Sequence, residues 1–169
     1  MDDVVRGKKG KLYIVATPIG NLEDVTIRAL RVLKEVDLIA AEDTRRTKIL
    51  LKNYHIDTPI TSLYEHNERQ KRIFIVSRIL EGINVAYVSD AGTPGISDPG
   101  YLLITKAVES DIQIVPIPGE SAVIAALSVS GLPINRFVFH GFLPVRSKQR
   151  RQLFEELRQE ESTIVFYES

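Results

Sequence analysis

Asn84-Val85-Ala86-Tyr87-Val88-Ser89-Asp90-Ala91-Gly92-Thr93-Pro94-Gly95-Ile96-Ser97-Asp98-Pro99-Gly100 is the stretch that decides the fold. Asn84 to Ser89 is a short apolar run with β-branched residues, the pattern of a buried strand. The segment from Ser89 to Gly100 then carries three glycines and two prolines, which makes a shaped and partly rigid loop. Long connections in compact domains are usually functional. Asp98 followed by Pro99 reads as a helix N-cap with proline at the first helical position, and that helix runs to about Ser110.

The same alternation extends outward on both sides. Upstream, Leu12 to Ala16 reads as a strand and Glu23 to Glu35 as a helix with Val25, Ala29, Leu30, Leu33 and Val36 inward. Asp37 to Ala41 is a strand, and Asp43 or Thr44 caps a helix to about Lys52. Pro59 to Leu63 is a short strand, and Glu68 to Glu81 a helix with Ile73, Val76, Ile79 and Leu80 inward. Downstream, Gln113 to Pro116 is a strand, followed by a helix from about Glu120 to Ser130 that Gly131 and Pro133 stop. Such alternation predicts an α/β fold, a mostly parallel sheet with helices on both faces. After Arg136 to Phe142, a strand-like run, come a helix over Gln149 to Glu160 and a strand over Thr163 to Tyr167. The expected organisation is a loose leader over 1–10, an α/β domain over 11–142, and over 143–169 a linker and the beginning of a second domain.

Composition narrows the function classes. The chain has 169 residues, 44% hydrophobic and 26% charged, with 22 basic and 22 acidic side chains. Zero formal net charge gives no overall attraction to nucleic acid, so any such binding must come from local patches. Without cysteine there is no disulfide, thiolate metal site or thiol nucleophile, which fits the reducing cytoplasm. No apolar run approaches the length of a membrane span.

Three loops fall where an open parallel sheet binds ligands, beyond the carboxyl ends of its strands. Thr17-Pro18-Ile19-Gly20-Asn21 is neither a G-x-G-x-x-G fingerprint nor a P-loop, which counts against a nicotinamide dehydrogenase or a nucleotide hydrolase. It is otherwise a plain strand-to-helix turn. Backbone N–H groups in the 89–100 loop are suited to a ligand carboxylate and Asp90 to an ammonium; the alternative is a surface connection with Asp98 only as helix cap. In Pro116-Ile117-Pro118-Gly119-Glu120-Ser121-Ala122, Ser121 caps a helix, lies against a flat ligand, or does both.

Four stretches carry a resemblance: Val15 to Leu22, Ala41-Glu42-Asp43-Thr44-Arg45, Val88 to Gly100, and Gly141-Phe142-Leu143-Pro144. Together they resemble the tetrapyrrole-methylase-like (class III) S-adenosylmethionine-dependent methyltransferases, most of all the members that act on small-subunit ribosomal RNA. The resemblance implies two α/β domains with the cofactor between them, a homodimer, and methylation of a cytidine ribose 2′-hydroxyl in 16S rRNA. It implies that Pro18, Ser89, Asp90, Ala91, Gly92, Thr93, Ile96, Ser97, Ser121 and Ala122 meet S-adenosylmethionine. No metal is required, because displacement from a sulfonium needs alignment above all. A ribose hydroxyl needs a base or a stabilising cation, and Asp43, Arg45 and His66 are the candidates. Asp43 reads alternatively as only a helix cap, and His66 as an exposed turn residue. Arg45, Arg46, Lys48 and Lys52, and Arg146, Lys148, Arg150 and Arg151, form either phosphate-binding rims or solvated faces. A tetrapyrrole-precursor methylase and a non-catalytic cofactor- or RNA-binding half-domain are the rival readings.

Overall fold

The computed structural model describes residues 8–168. The strands are β1 (Lys11–Val15), β2 (Leu38–Ala41), β3 (Ile60–Ser62), β4 (Val85–Val88), β5 (Gln113–Ile117), β6 (Phe137–Phe142) and β7 (Thr163–Tyr167). The α-helices are α1 (Ile27–Glu35), α2 (Thr44–Asn53), α3 (Glu68–Leu80), α4 (Tyr101–Glu109), α5 (Ala122–Val129) and α6 (Ser147–Glu156). The chain divides into two compact units, one ending at Ser121 and one beginning at Ala122.

In the first unit five parallel strands run in the order β3-β2-β4-β1-β5. Successive side chains of a strand point to opposite faces, so each strand feeds two cores. Leu12, Ile14, Ala40, Val85 and Tyr87 pack against Ile75, Val76 and Ile79 of α3 and Leu103 and Ala107 of α4. Val15, Ile39, Ala41, Ala86 and Val88 pack against Ala29, Val32 and Leu33 of α1 and Leu50 and Leu51 of α2. Burying each large aliphatic chain contributes about 1.5–3 kcal/mol. This is the expected α/β sheet covered on both faces.

The order creates a switch point. From β1 the chain moves through α1 toward the β2 side, whereas from the adjacent β4 it moves through α4 to β5 on the other side. The two connections leave on opposite faces of the sheet, α1 against one core and α4 against the other, which leaves a crevice at the carboxyl ends of β1 and β4.

Several element boundaries differ from expectation. The helix expected from Glu23 begins at Ile27. Asn21 accepts from the Glu23 N–H to make a single 3-10 turn, Val25 is extended, and Thr26 then caps α1 at the Ala29 N–H. Asp98 does not cap α4. The cap position is Gly100, and the Asp98 carboxyl lies back toward Ser89 and Asp90. The inward face of α3 is Ile75, Val76 and Ile79, while Ile73 and Leu80 are exposed. On α1, Val32 is buried and Leu30 only half so. The fifth helix starts at Ala122, and the sixth runs from Ser147 to Glu156 before a 3-10 turn.

In the second unit β6 and β7 pair in parallel, with a register shift between Phe139 and Phe142. Gly141 lies in that irregularity at φ 68°. His140 stacks on Phe166 at 5.6 Å and Phe154 of α6 meets the same ring edge-on at 6.0 Å. Of the stretch read as a leader, residues 1–7 lie outside the described residues. Lys9 donates to the Ser110 and Asp111 carbonyls, and Gly10 donates to the Ile79 carbonyl at 2.8 Å.

Candidate functional site

The loops after β1 and β4 are stitched together at the switch point. Thr17 and Gly92 exchange two backbone hydrogen bonds of 2.9 and 2.8 Å. Gly92, at φ 76°, occupies backbone space where a side chain would be strained. The Thr93 hydroxyl donates to the Glu120 carbonyl at 3.3 Å, which fastens this loop to the one after β5. Ser97 sits at φ 63°, a costly conformation for a non-glycine residue and one that concentrates at ligand sites.

A second set of bonds ties β2 to β4. The Asp90 N–H donates to Glu42 at 3.1 Å, and the Asp90 carboxylate accepts from the Asp43 N–H at 3.0 Å. Arg46 pairs with the other Asp90 oxygen at 3.5 Å. Glu42, Asp90 and Asp98 thus form an acidic cluster with one arginine ion-paired to it. Burial pushes the Glu42 carboxyl above its usual range, with the Asp90 and Asp98 charges adding to the effect. Burial likewise raises Asp98, helped by Asp90 and opposed by a hydrogen bond from Ser89. The cluster is short of positive charge, which suits a cationic ligand.

The cleft beside this cluster has a volume of about 300 Å³. Thr17, Pro18, Ile19 and Gly20 form one wall, Arg46, Thr47, Ile49 and Leu50 of α2 another, and Ser89, Asp90 and Ala91 close it. Of the residues expected at the cofactor, Pro18, Ser89, Asp90 and Ala91 therefore meet in one place. Gly92 and Thr93 hold the loops together just behind it, and Ile96 and Ser97 lie exposed further along. Ser121 is half-buried at the end of the β5 loop, and Ala122 opens α5 as the first residue of the second unit. In the β5 loop, Glu120 Oε2 is buried with no hydrogen-bond partner, a polar group left for something else to satisfy.

The three side chains expected to serve chemistry are placed differently from one another. Asp43 caps α2, accepting the Arg45 N–H at 2.8 Å, and its carboxylate also grips the Arg45 guanidinium at 3.1 and 2.8 Å. The Arg45 hydrogen bonds hold the Asp43 carboxyl down at about 2. His66 is exposed in the turn before α3, its ring edge-on to Tyr64 at 6.3 Å, and it does not line the cleft. Arg46 is the residue that sequence reasoning undervalued. Once Asp43 is fixed as the cap, helical spacing puts positions 46, 49 and 50 on the cleft side. Glu42 was legible only as a loop acid. Among the described residues no group of three or more His, Asp or Glu side chains is arranged to hold a metal ion. No helix among them is long and apolar enough to cross a membrane.

Parallel order 3-2-4-1-5, a stitched switch point and an acidic crevice define a class, and the chain belongs to the tetrapyrrole (corrin/porphyrin) methylase family, whose model matches residues 11–169. Within the family it is similar to the ribosomal RNA small subunit methyltransferase I of Halalkalibacterium halodurans, 54% identical over 164 residues, 97% of this chain and 57% of that protein. Its counterpart in Escherichia coli O157:H7 is 53% identical over 161 residues, 95% of this chain and 56% of that protein. The chain thus spans a little over half the length of these relatives. The crystal structure of diphthine synthase superposes with a TM-score of 0.76 over 94% of this chain and 64% of that one, at 15% identity, a likeness of fold alone.

Proposed function

We propose that this chain is the cofactor-binding part of a methyltransferase that transfers a methyl group from S-adenosylmethionine to a cytidine ribose 2′-hydroxyl in 16S rRNA. The whole enzyme in this reading is a cytoplasmic homodimer. The observation that carries the proposal is the acidic crevice at the β1/β4 switch point. It offers the Asp90 carboxylate, with Glu42 and Asp98 beside it, to a ligand with two positive centres, and it sits in a chain more than half identical to two rRNA methyltransferases.

When bound, S-adenosylmethionine supplies an electrophilic methyl group on a sulfonium. The chain's own residues do the remaining work. Asp90, already fixed by the Asp43 N–H and Arg46, accepts the ligand's ammonium. Backbone N–H groups of the loop from Ala91 through Ser97 receive its carboxylate, with Ser121 and Ala122 as further contacts. Pro18 and Ile19 shield the crevice from water, which strengthens each charge interaction inside it. Arg45, anchored by Asp43 and next to the crevice-lining Arg46, supplies a guanidinium to stabilise the negative charge that develops on the ribose oxygen. His66, on the loop after β3 at the same sheet edge, and Glu42, with its raised carboxyl, are the two bases for the ribose proton.

The test is to incubate the protein with methyl-labelled S-adenosylmethionine and small ribosomal subunits, and then to digest the RNA to nucleosides. The expected result is label on 2′-O-methylcytidine. Cofactor binding without label in RNA would sink the rRNA assignment and bring a tetrapyrrole-type substrate forward.

A further inference from the structure

We infer that the outer edge of α2, formed by Lys48 and Lys52 and continued by His55, is a track for the phosphates of an RNA strand leading to the crevice. The inference rests on the rRNA reading above and names a surface that the crevice does not include.

Arg45, Lys48, Lys52 and His55 recur at intervals of three, four and three residues, so the three on α2 share one side of the helix. Lys48 and Lys52 lie one turn apart, about 6 Å, a separation on the scale of successive phosphates. The row starts at Arg45, next in sequence to the crevice-lining Arg46, and ends at a groove of about 460 Å³ beside β3. Lys48, Lys52, His55 and Thr58 line that groove, with Asp57 as the acid among them. Arg45 and Arg46 are already ion-paired with Asp43 and Asp90. Among the described residues Lys48 and Lys52 carry no ion pair, and both are exposed. On a chain of zero net charge, two unpaired cations one helical turn apart beside a groove make a local patch of positive charge suited to an anion.

His55 supplies an independent observation. Past the end of α2, the Ile56 N–H donates to the Leu51 carbonyl at 2.9 Å, which closes the helix around a left-handed residue. That position usually belongs to glycine. Here it is His55, at φ 52°. A strained imidazole held beside two free lysines has a use other than ending the helix.

The experiment measures binding of a short labelled RNA oligonucleotide to the chain across a salt series. It compares the unaltered protein, Lys48→Ala/Lys52→Ala, His55→Gly, and Lys34→Ala as a charge control on α1. Each phosphate contact on a single strand contributes about 0.7 to the slope of log affinity against log salt. The double variant is expected to lose about 1.4 of that slope, with its circular dichroism spectrum and its S-adenosylmethionine binding unchanged. His55→Gly is expected to raise the midpoint of thermal unfolding while it weakens RNA binding. An unchanged slope in the double variant, with RNA still bound, overturns the track and leaves the rRNA reading intact. Failure of the unaltered chain to bind RNA while it binds S-adenosylmethionine overturns both. Binding to phosphatidylserine vesicles in place of RNA overturns the track in favour of a membrane surface.

Discussion

Glu68 belongs to the first turn of α3, yet its carboxylate caps α4: Oε1 accepts the N–H of Gly100 at 3.1 Å and that of Leu103 at 3.0 Å. Gly100 has no side chain with which to cap its own helix, and Glu68, only 5% exposed, supplies the acceptor from the neighbouring element. The bond fixes where the 89–100 loop ends, and so where the crevice residues sit. Glu68→Ala leaves two buried donors unsatisfied and is expected to cost about 3 kcal/mol. Glu68→Gln keeps an oxygen acceptor and is expected to cost about 1 kcal/mol. Urea unfolding reads the difference, and equal midpoints for the two variants would contradict the capping role.

Gly100 is constrained a second time. At φ 125°, a Cβ built on it falls 2.5 Å from the Tyr87 ring, whose hydroxyl donates to the Pro99 carbonyl at 2.8 Å. Gly100→Ala therefore meets both backbone strain and overpacking, a combined cost of about 3 kcal/mol. Tyr87→Phe removes only the hydroxyl bond, about 1 kcal/mol. Thermal unfolding should rank the two in that order, and the reverse order would mean that the loop repacks around the added methyl.

Asp43 and Arg45 make a prediction about acid. Because the folded carboxyl sits at about 2 against an ordinary 3.8, its stabilisation is present above 3.8 and is lost as pH falls from there through about 2. Arg45→Ala should return the Asp43 titration, followed by carboxyl NMR, toward 3.8 and flatten stability across that window. Glu42 and Asp98 act in the opposite sense. Their raised carboxyls favour the protonated folded form, so each withdraws stability as pH rises from its ordinary value through its raised one. A bound cation relieves that penalty, so S-adenosylmethionine binding in mildly acidic buffer should release protons, which calorimetry in buffers of different ionisation enthalpy detects. Zero release would count against the cluster as the cation's seat.

Much of this fold is legible in the sequence because continuous apolar runs such as Val85 to Val88 and helical faces such as Ala29 and Leu33 are local signals. The crevice loops were legible for the same reason: Gly92 and Gly95 mark backbone conformations that few residues adopt. What escaped was long-range. Asp98-Pro99 is a sound capping signal locally, but burial beside Ser89 outcompetes it, and the cap comes from Glu68, thirty-two residues upstream. Arg46 was indistinguishable from Arg45 until the Asp43 cap fixed the helix register. The inward face of α3 was misread at Ile73 and Leu80, because a helix apolar at 73–76 and 79–80 offers more than one face to bury.

The most direct test of the central claim is isothermal calorimetry of S-adenosylmethionine with the unaltered chain and with Asp90→Asn. The asparagine still accepts the Asp43 N–H, so the loop stays in place while the charge is removed. The account predicts saturable binding that weakens about tenfold to a hundredfold in Asp90→Asn, the scale of one hydrogen bond to a charged group. Binding of equal strength to both proteins would place the cofactor elsewhere and contradict the assignment of the switch-point crevice.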